Sequence, residues 1–266
     1  MASLRIMLHH VESGTGRPIV LLHAFPMDSS LWAAARQALA PAGHRVITPD
    51  LPGFGGSALA PQPPSLDVMA DAVVELLDHL GIERVVVGGL SMGGYVTMAL
   101  LRRYPQRLSA IVLADTKAGA DTAEAAANRE SVAAAVEAAG TASGIADGML
   151  PNLLGATTRE SRPDVVAKVR RWIGAQPAAG VAWAQRAMAA RPDSLPDIAA
   201  FGGPVLVLYG AEDVISPAPD AAAMADAARA GGSATTVVEI PAAGHLTAIE
   251  DPDAVNHALL GWLSTL

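Results

Sequence analysis

Residues 84–104 read RVVVGGLSMGGYVTMALLRRY, and they set the architecture expected for the rest of the chain. A β-branched run at 85–87 predicts a strand, and the apolar-periodic segment that ends at Tyr104 predicts a helix. Between them, residues 89–93 match G-x-S-x-G, in which a serine occupies the apex of a sharp strand-to-helix turn. The glycines are needed because the strained turn and the close passage of the helix leave no room for side chains. Ser91 is therefore the predicted nucleophile.

Strands and helices alternate on both sides of this unit. The predicted strands occupy residues 4–11, 19–22, 45–48, 108–114, 204–209 and 235–240. The predicted helices occupy residues 28–39, 65–80, 217–230 and 253–263. Such alternation predicts an α/β fold, in which helices cover both faces of a mostly parallel central sheet.

The alternation is interrupted after residue 117. Alanine-rich helical segments are predicted at 122–139, 162–173 and 178–190, with breaks at Pro151, Gly155, Pro163 and Pro177. We interpret residues 118–198 as a helical cap inserted into a core formed by residues 1–117 and 199–266. Alanine favours helices but buries little area, so this cap is expected to be loosely packed and mobile.

Composition narrows the class of partner and compartment. The 266 residues are 51% hydrophobic and carry a net charge of −8 without a basic run, which disfavours nucleic acid and anionic membranes as partners. Cysteine is absent, so disulfides, thiolate zinc sites and cysteine nucleophiles are excluded. The first residues carry too short an apolar run for a signal peptide. We expect a cytoplasmic protein, monomeric or homodimeric, that needs neither a cofactor nor a metal.

A serine nucleophile needs a base, and the base needs an orienting group. Of the seven histidines, only His245 lies in a glycine-flanked loop directly after a predicted strand. Asp213 follows another strand. The chain order Ser91, Asp213, His245 is the order of nucleophile, acid and base in α/β-hydrolases. Asp115 also ends a strand and is the alternative acid. Glu212 is expected to point away from the side that Asp213 faces, because successive strand residues alternate.

The negative charge of a tetrahedral intermediate needs two hydrogen-bond donors. The amide of Met92 follows the nucleophile directly, and the second donor should come from the loop after the strand that ends at residue 22. We assign that donor to the amide of Phe25 and expect His23 to brace the same loop.

Several other polar and aromatic residues have less direct interpretations. Asp50 lies in a proline- and glycine-rich loop and is expected to stabilise a turn, while His9 and His10 are expected on a strand face. Trp172 and Trp183 lie in the cap, where they either contact substrate or serve as packing anchors.

Five segments together resemble the α/β-hydrolase superfamily. They read HAFPMD near the oxyanion loop, DLPGFGGS after the next strand, GLSMGG at the turn, GAEDVISP around the acid and GHLTAIEDP around the base. The resemblance covers the chain outside the cap, and in detail it is closest to the small esterase, enol-lactonase and cofactor-free perhydrolase branch. It implies a triad of Ser91, Asp213 and His245, with the amides of Phe25 and Met92 as the oxyanion hole. Ala24 departs from the glycine found in many relatives.

The resemblance also implies the chemistry. Dehalogenases and epoxide hydrolases of this fold carry a carboxylate at the turn, whereas this chain carries a serine. The expected activity is hydrolysis of a small ester or lactone through an acyl-enzyme. Acyl transfer, perhydrolysis, carbon–carbon bond hydrolysis and ligand binding without turnover remain alternatives within the same fold.

Overall fold

The computed structural model describes residues 7–266, and seven strands in this range form one sheet. The strands are β1 (His10–Ser13), β2 (Arg17–Leu22), β3 (His44–Pro49), β4 (Val85–Leu90), β5 (Leu108–Ala114), β6 (Val205–Gly210) and β7 (Thr235–Ile240). Their order across the sheet is β1-β3-β2-β4-β5-β6-β7, and only β1 runs antiparallel to its neighbour. The predicted α/β fold with a mostly parallel sheet is confirmed.

Helices connect these strands and cover both faces of the sheet. They are α1 (Ala33–Leu39), α2 (Leu66–His79), α3 (Met92–Arg103), α4 (Ala123–Ala139), α5 (Ala146–Leu153), α6 (Ala156–Ser161), α7 (Pro163–Ala175), α8 (Ala178–Ala189), α9 (Leu195–Phe201), α10 (Ala218–Ala230), α11 (Thr247–Glu250) and α12 (Pro252–Leu263). No helix in residues 7–266 combines the length and apolar character needed to span a membrane.

The core consists of two apolar layers separated by the sheet. Alternation along β4 sends Val85 and Val87 into the layer beneath α2 and α3, while Val86 packs into the layer with residues of α1 and α12. Because β4 is covered on both faces, all of its residues are buried. A central strand of this kind reads as a continuous apolar run rather than as an alternating one.

Three sequence-based boundaries need correction. The first strand begins at His10 instead of running from 4 to 11, because its pairing with β3 extends only from His10 to Ser13; residues 4–6 lie outside the described range. The helix predicted over 28–39 opens with a 3-10 turn, Ser29–Trp32, capped by Asp28. Pro151 lies inside α5, where burial of neighbouring leucines outweighs one lost backbone hydrogen bond.

The segment between β5 and β6 contains helices α4 to α9 and no strand. Helices α4 and α8 pack against each other, and α8 also contacts α2. The boundary predicted at 198/199 falls within α9, which contacts α3 and α10. We refer to residues 118–198 below as the helical insertion.

Candidate active site

The turn between β4 and α3 holds Ser91 in an unusual conformation. Its φ of 54° and ψ of −111° lie where side-chain-bearing residues are rarely found. A Cβ atom on Gly89 would lie 2.0 Å from the carbonyl oxygen of Gly93, and one on Gly93 would lie 2.3 Å from the carbonyl oxygen of Leu22. Both glycines are therefore required sterically, as the sequence predicted, and the serine hydroxyl is presented at the end of the strand.

The structure brings together the three residues predicted as a triad. Ser91 Oγ lies 2.8 Å from His245 Nε2, and His245 Nδ1 lies 2.8 Å from Asp213 Oδ2. All three side chains are buried; Ser91 is the most exposed at 8%. The hydroxyl, imidazole and carboxylate thus form one continuous hydrogen-bonded chain with little contact to bulk water.

Asp213 is held by the loop that follows it. Its Oδ1 accepts hydrogen bonds from the amides of Ile215 and Ser216, at 2.8 and 3.1 Å, and its Oδ2 accepts one from Ser216 Oγ at 2.6 Å. Burial acts to raise the pKa of Asp213, but the hydrogen bonds and charge of His245, together with Ser216, lower it below its ordinary value. The carboxylate therefore stays ionised beside the imidazole. Sequence reasoning missed Ser216, although a serine three residues after an aspartate is a common turn pattern.

Asp115, the alternative acid, has different partners. Its Oδ1 accepts from the amide of Gly210 at 3.1 Å, and its Oδ2 accepts from the amide and hydroxyl of Thr247 at 3.2 and 2.5 Å. Burial is the main cause that raises the pKa of Asp115 well above its ordinary value. This carboxyl group joins the end of β6 to the loop after His245, and the histidine ring is bonded to Asp213 instead.

The two amides predicted to bind the negative charge of an intermediate follow β2 and β4. Within residues 7–266, the amides of Phe25 and Met92 have no hydrogen-bond partner, and Met92 is the first residue of α3. Ala24 is fully buried, and its carbonyl accepts from the amide of Met27 at 2.9 Å. The Phe25 amide thus lies in a defined turn.

His23 braces this turn, as expected from the sequence. Its Nδ1 lies 2.9 Å from the carbonyl oxygen of Ala24, and its Nε2 accepts from the amide of Leu51 at 2.9 Å. Burial lowers the pKa of His23, which favours the neutral ring that this pair of contacts requires.

Asp50 stabilises the neighbouring loop, also as expected. It accepts from the amides of Ser29 and Gly56, at 2.7 and 2.9 Å. His9 lies before β1 rather than on a strand face, and its Nδ1 is 2.7 Å from Asp50 Oδ2.

Both tryptophans of the helical insertion donate hydrogen bonds to residues outside it. Trp172 Nε1 donates to Asp28 Oδ2 at 2.7 Å, and Trp183 Nε1 donates to the carbonyl oxygen of Gln62 at 3.0 Å. Trp183 is buried and Trp172 is partly buried. These contacts favour the interpretation of both residues as packing anchors.

A cavity of about 390 Å³ lies between the helical insertion and Ile215, which belongs to the loop after Asp213. Its lining is apolar or carries amide side chains, and it includes Asn128, Met149, Asn152, Gln185 and Ile215. Ile215 is the lining residue that also contacts the triad, because its amide donates to Asp213; Ser91 and His245 do not line the cavity. None of the residues that line the cavity is charged. In residues 7–266, no cluster of three or more His, Asp or Glu side chains is arranged to hold a metal ion.

Comparisons with known proteins agree with this architecture. The sequence profile of the alpha/beta hydrolase fold matches residues 17–252, so the chain belongs to that family. An esterase from Thermogutta terrifontis is 42% identical, with a TM-score of 0.93 over 98% of this chain and 94% of that chain. The enol-lactonase of Burkholderia xenovorans LB400 is 28% identical, with a TM-score of 0.87 over 99% of both chains.

One relative is described as part of an acetyltransferase rather than as an esterase or a lactonase. The dihydrolipoyllysine-residue acetyltransferase component of the acetoin cleaving system of Pseudomonas putida is 33% identical over 256 residues. That alignment covers 93% of this chain but only 64% of the length of the Pseudomonas protein. The predicted likeness to esterases and enol-lactonases is confirmed by the Thermogutta and Burkholderia structures. It is also confirmed by an Acinetobacter baylyi 3-oxoadipate enol-lactonase, which is 28% identical over 80% of this chain and 76% of that protein.

Proposed function

We propose that this protein is a serine hydrolase that cleaves a small carboxylic ester or lactone through an acyl-enzyme intermediate. The observation that carries the proposal is the 2.8 Å contact between Ser91 Oγ and His245 Nε2, with Asp213 on the other ring nitrogen. A base within hydrogen-bond reach of the nucleophile, itself oriented by a third group, is the arrangement required for nucleophilic acyl transfer.

In the acylation step, Ser91 Oγ attacks the substrate carbonyl carbon while its proton passes to His245 Nε2. The carbonyl π electrons move to oxygen, and the amides of Phe25 and Met92 stabilise that negative charge. Collapse of this intermediate restores the carbonyl and expels the alkoxide, which takes the proton from His245 Nε2. In a lactone the leaving oxygen remains attached to the acyl group.

Deacylation repeats the sequence with water. His245 Nε2 accepts a proton from water as the water oxygen attacks the acyl carbon, and returns it to Ser91 Oγ when the acid is released. Asp213 stays ionised throughout; it orients the imidazole and stabilises its protonated form.

The cavity next to Ile215 supports an uncharged substrate. Its volume of about 390 Å³ falls within the range of small-molecule sites, and its lining offers apolar surface with a few amide groups. The lining itself holds no charged side chain, so an ionised acyl or alcohol group would give up hydration against a mostly apolar surface. We assign the cavity to the chain of a neutral ester and the helical insertion to a cap that sets substrate preference.

Acyl transfer is the second candidate, because the Pseudomonas putida relative is described as an acetyltransferase component. A transferase would pass the acyl group from Ser91 to an alcohol or thiol in place of water. Product analysis with an added alcohol or thiol acceptor distinguishes the two activities, since only transfer yields the new ester or thioester. Cleavage of carbon–carbon bonds would be detected by adding such substrates to the same assay.

The test is a panel of esters, lactones and thioesters with the wild type and Ser91→Ala. We expect the variant to keep its fold and to lose about 10⁴-fold or more of turnover, because no other group forms the acyl-enzyme. A fluorophosphonate should form one covalent adduct, on Ser91, detected by mass spectrometry of peptides. A variant with most of its activity, or an adduct at another residue, would refute the assignment, and binding without turnover would indicate a receptor.

A further inference from the structure

The loop that carries His245 is hydrogen-bonded to the buried carboxylate of Glu250. The amides of Gly244 and Leu246 both donate to Glu250 Oε1, at 3.0 and 3.1 Å. Glu250 is only 5% exposed and lies in the short helix α11. One of these amides belongs to the His245–Leu246 peptide and the other to the Ala243–Gly244 peptide, so their shared acceptor fixes the backbone before and after His245.

The second oxygen of the same carboxylate reaches the helical insertion. Glu250 Oε2 accepts from the amide of Gly155, at 2.8 Å, and Gly155 lies between α5 and α6. Backbone contact here is close: a Cβ atom on Gly244 would lie 2.2 Å from the nitrogen of Gly155, and one on Gly155 would lie 2.8 Å from the nitrogen of Gly244. The insertion therefore lies directly against the loop of the proposed base.

We propose that Glu250 is a positioning residue that couples the seating of the helical insertion to the placement of His245. The inference rests on the proposed triad and adds a dependence that the triad alone does not contain. The Glu250 carboxylate accepts hydrogen bonds from three amides, two beside His245 and one in the insertion. A displacement of Gly155 therefore shifts the carboxylate and, through it, the backbone around His245. The insertion is thus part of what aligns the base with Ser91, in addition to covering the site.

A neighbouring glutamate provides a matched comparison. Glu212 also joins the core to the insertion, because its Oε2 accepts from the amide of Thr157 at 2.9 Å and its Oε1 accepts from Thr157 Oγ1 at 2.5 Å. A glutamine at 212 can keep both contacts, since its oxygen can accept from the amide and its NH₂ can donate to the hydroxyl. A glutamine at 250 cannot, because all three partners are N–H donors.

Because of this difference, the change from glutamate to glutamine breaks a contact with the insertion at position 250 but not at position 212. In Glu250→Gln we expect the amide oxygen to stay with Gly244 and Leu246, which leaves the NH₂ group facing the N–H of Gly155. The side-chain link to Gly155 is then lost, while the loop that carries His245 keeps its acceptor and Arg162 still donates to the backbone carbonyl oxygen of Glu250. Glu212→Gln applies the same chemical change without that loss.

A second pair of variants tests the same link from the insertion. In Gly155→Ala the methyl group would lie 2.5 Å from Glu212 Oε2 and 2.8 Å from the nitrogen of Gly244, so the segment must shift away from the histidine loop. Gly144→Ala is the control, because a Cβ atom there meets nothing within 4 Å. This pair also keeps the proposal testable if Glu250→Gln does not fold.

The experiment measures the rate of fluorophosphonate labelling of Ser91, kcat and KM with a neutral ester, thermal unfolding, and hydrogen exchange at the Gly155 amide. We expect Glu250→Gln and Gly155→Ala to slow labelling and lower kcat by about 10-fold or more, because small displacements of a reacting group are costly. KM should change by less than about twofold, and the Gly155 amide should exchange faster. Glu212→Gln and Gly144→Ala should behave like the wild type.

Each of the following results would overturn the proposal. If Glu250→Gln and Glu212→Gln label at equal rates, or Gly155→Ala matches Gly144→Ala, the insertion does not position His245. If the variants only unfold at lower temperature while the folded protein labels at the wild-type rate, Glu250 is structural. A wild-type protein that takes no label would instead refute the proposed triad, and with it the role assigned to Glu250.

Discussion

Replacement of Asp213 by asparagine is expected to remove nearly all activity without disturbing the fold. In the wild type, Asp213 Oδ1 accepts two backbone amides, while Oδ2 faces Ser216 Oγ and His245 Nδ1. The amide oxygen of asparagine should remain with the two backbone donors, which places its NH₂ group against the histidine. The ring would then have to accept at Nδ1 and carry its proton on Nε2, so it could no longer accept the proton of Ser91.

The expected loss follows from this change of tautomer. An equivalent aspartate-to-asparagine change in a serine protease triad lowers turnover about 10⁴-fold with the geometry intact. At about 1.4 kcal/mol for each factor of ten, that corresponds to about 5 kcal/mol of transition-state stabilisation. The wild type and the variant should be compared by kcat and kcat/KM on one ester at neutral pH, with circular dichroism to verify folding.

Asp115→Asn is the matched control, since Asp115 is a buried carboxyl group that directly follows β5, the strand that pairs with both β4 and β6. Its three partners are the amide of Gly210 and the amide and hydroxyl of Thr247, so one backbone donor loses its acceptor in the variant. We expect a stability cost of about 1 to 3 kcal/mol and a loss of turnover of about 10-fold or less. Reversed outcomes would make Asp115 the acid of the triad. Comparable partial losses in both variants would mean that either carboxyl group can orient the histidine.

Two further predictions concern stability and the insertion. Burial acts to raise the pKa of Asp50, but hydrogen bonds from the amides of Gly56 and Ser29 outweigh it and lower the pKa. The carboxylate therefore stabilises the fold above its unfolded pKa of about 3.9 and loses this contribution as pH falls through the lower folded value. Asp50→Asn should be less stable than the wild type in urea at pH 7, with a difference that shrinks below about pH 4; an equal difference at both pH values would contradict this. Replacement of about residues 120–195 by a short linker should broaden or abolish substrate preference, whereas a folded protein with an unchanged profile on the ester panel would show that the insertion is not a lid.

Local sequence was sufficient for the longer elements with a clear apolar pattern and for the turn at Ser91. The strand, turn and helix around Ser91 could be predicted because the two glycines and the flanking apolar runs act over a few residues. The limits of β5 and the first residue of α8 were also predicted correctly, since apolar runs and a preceding proline mark them. The helices α5, α6, α9 and α11 were missed, because short segments have weak periodicity and are stabilised mainly by packing.

The contacts that complete the site required the tertiary structure. Sequence favoured Asp213 over Asp115 by chain order, but both end strands at the same edge of the sheet, and only the folded backbone shows which carboxylate meets a histidine 32 residues away. The link between Glu250 and Gly155 joins residues 95 positions apart, and no local pattern indicates it. The sequence by itself determined the fold family, the strained turn and the set of reacting residue types, because these depend on short-range sterics and periodicity. The tertiary structure decided which groups share a hydrogen bond, because that depends on how loops from separate strands and from the insertion converge above one edge of the sheet.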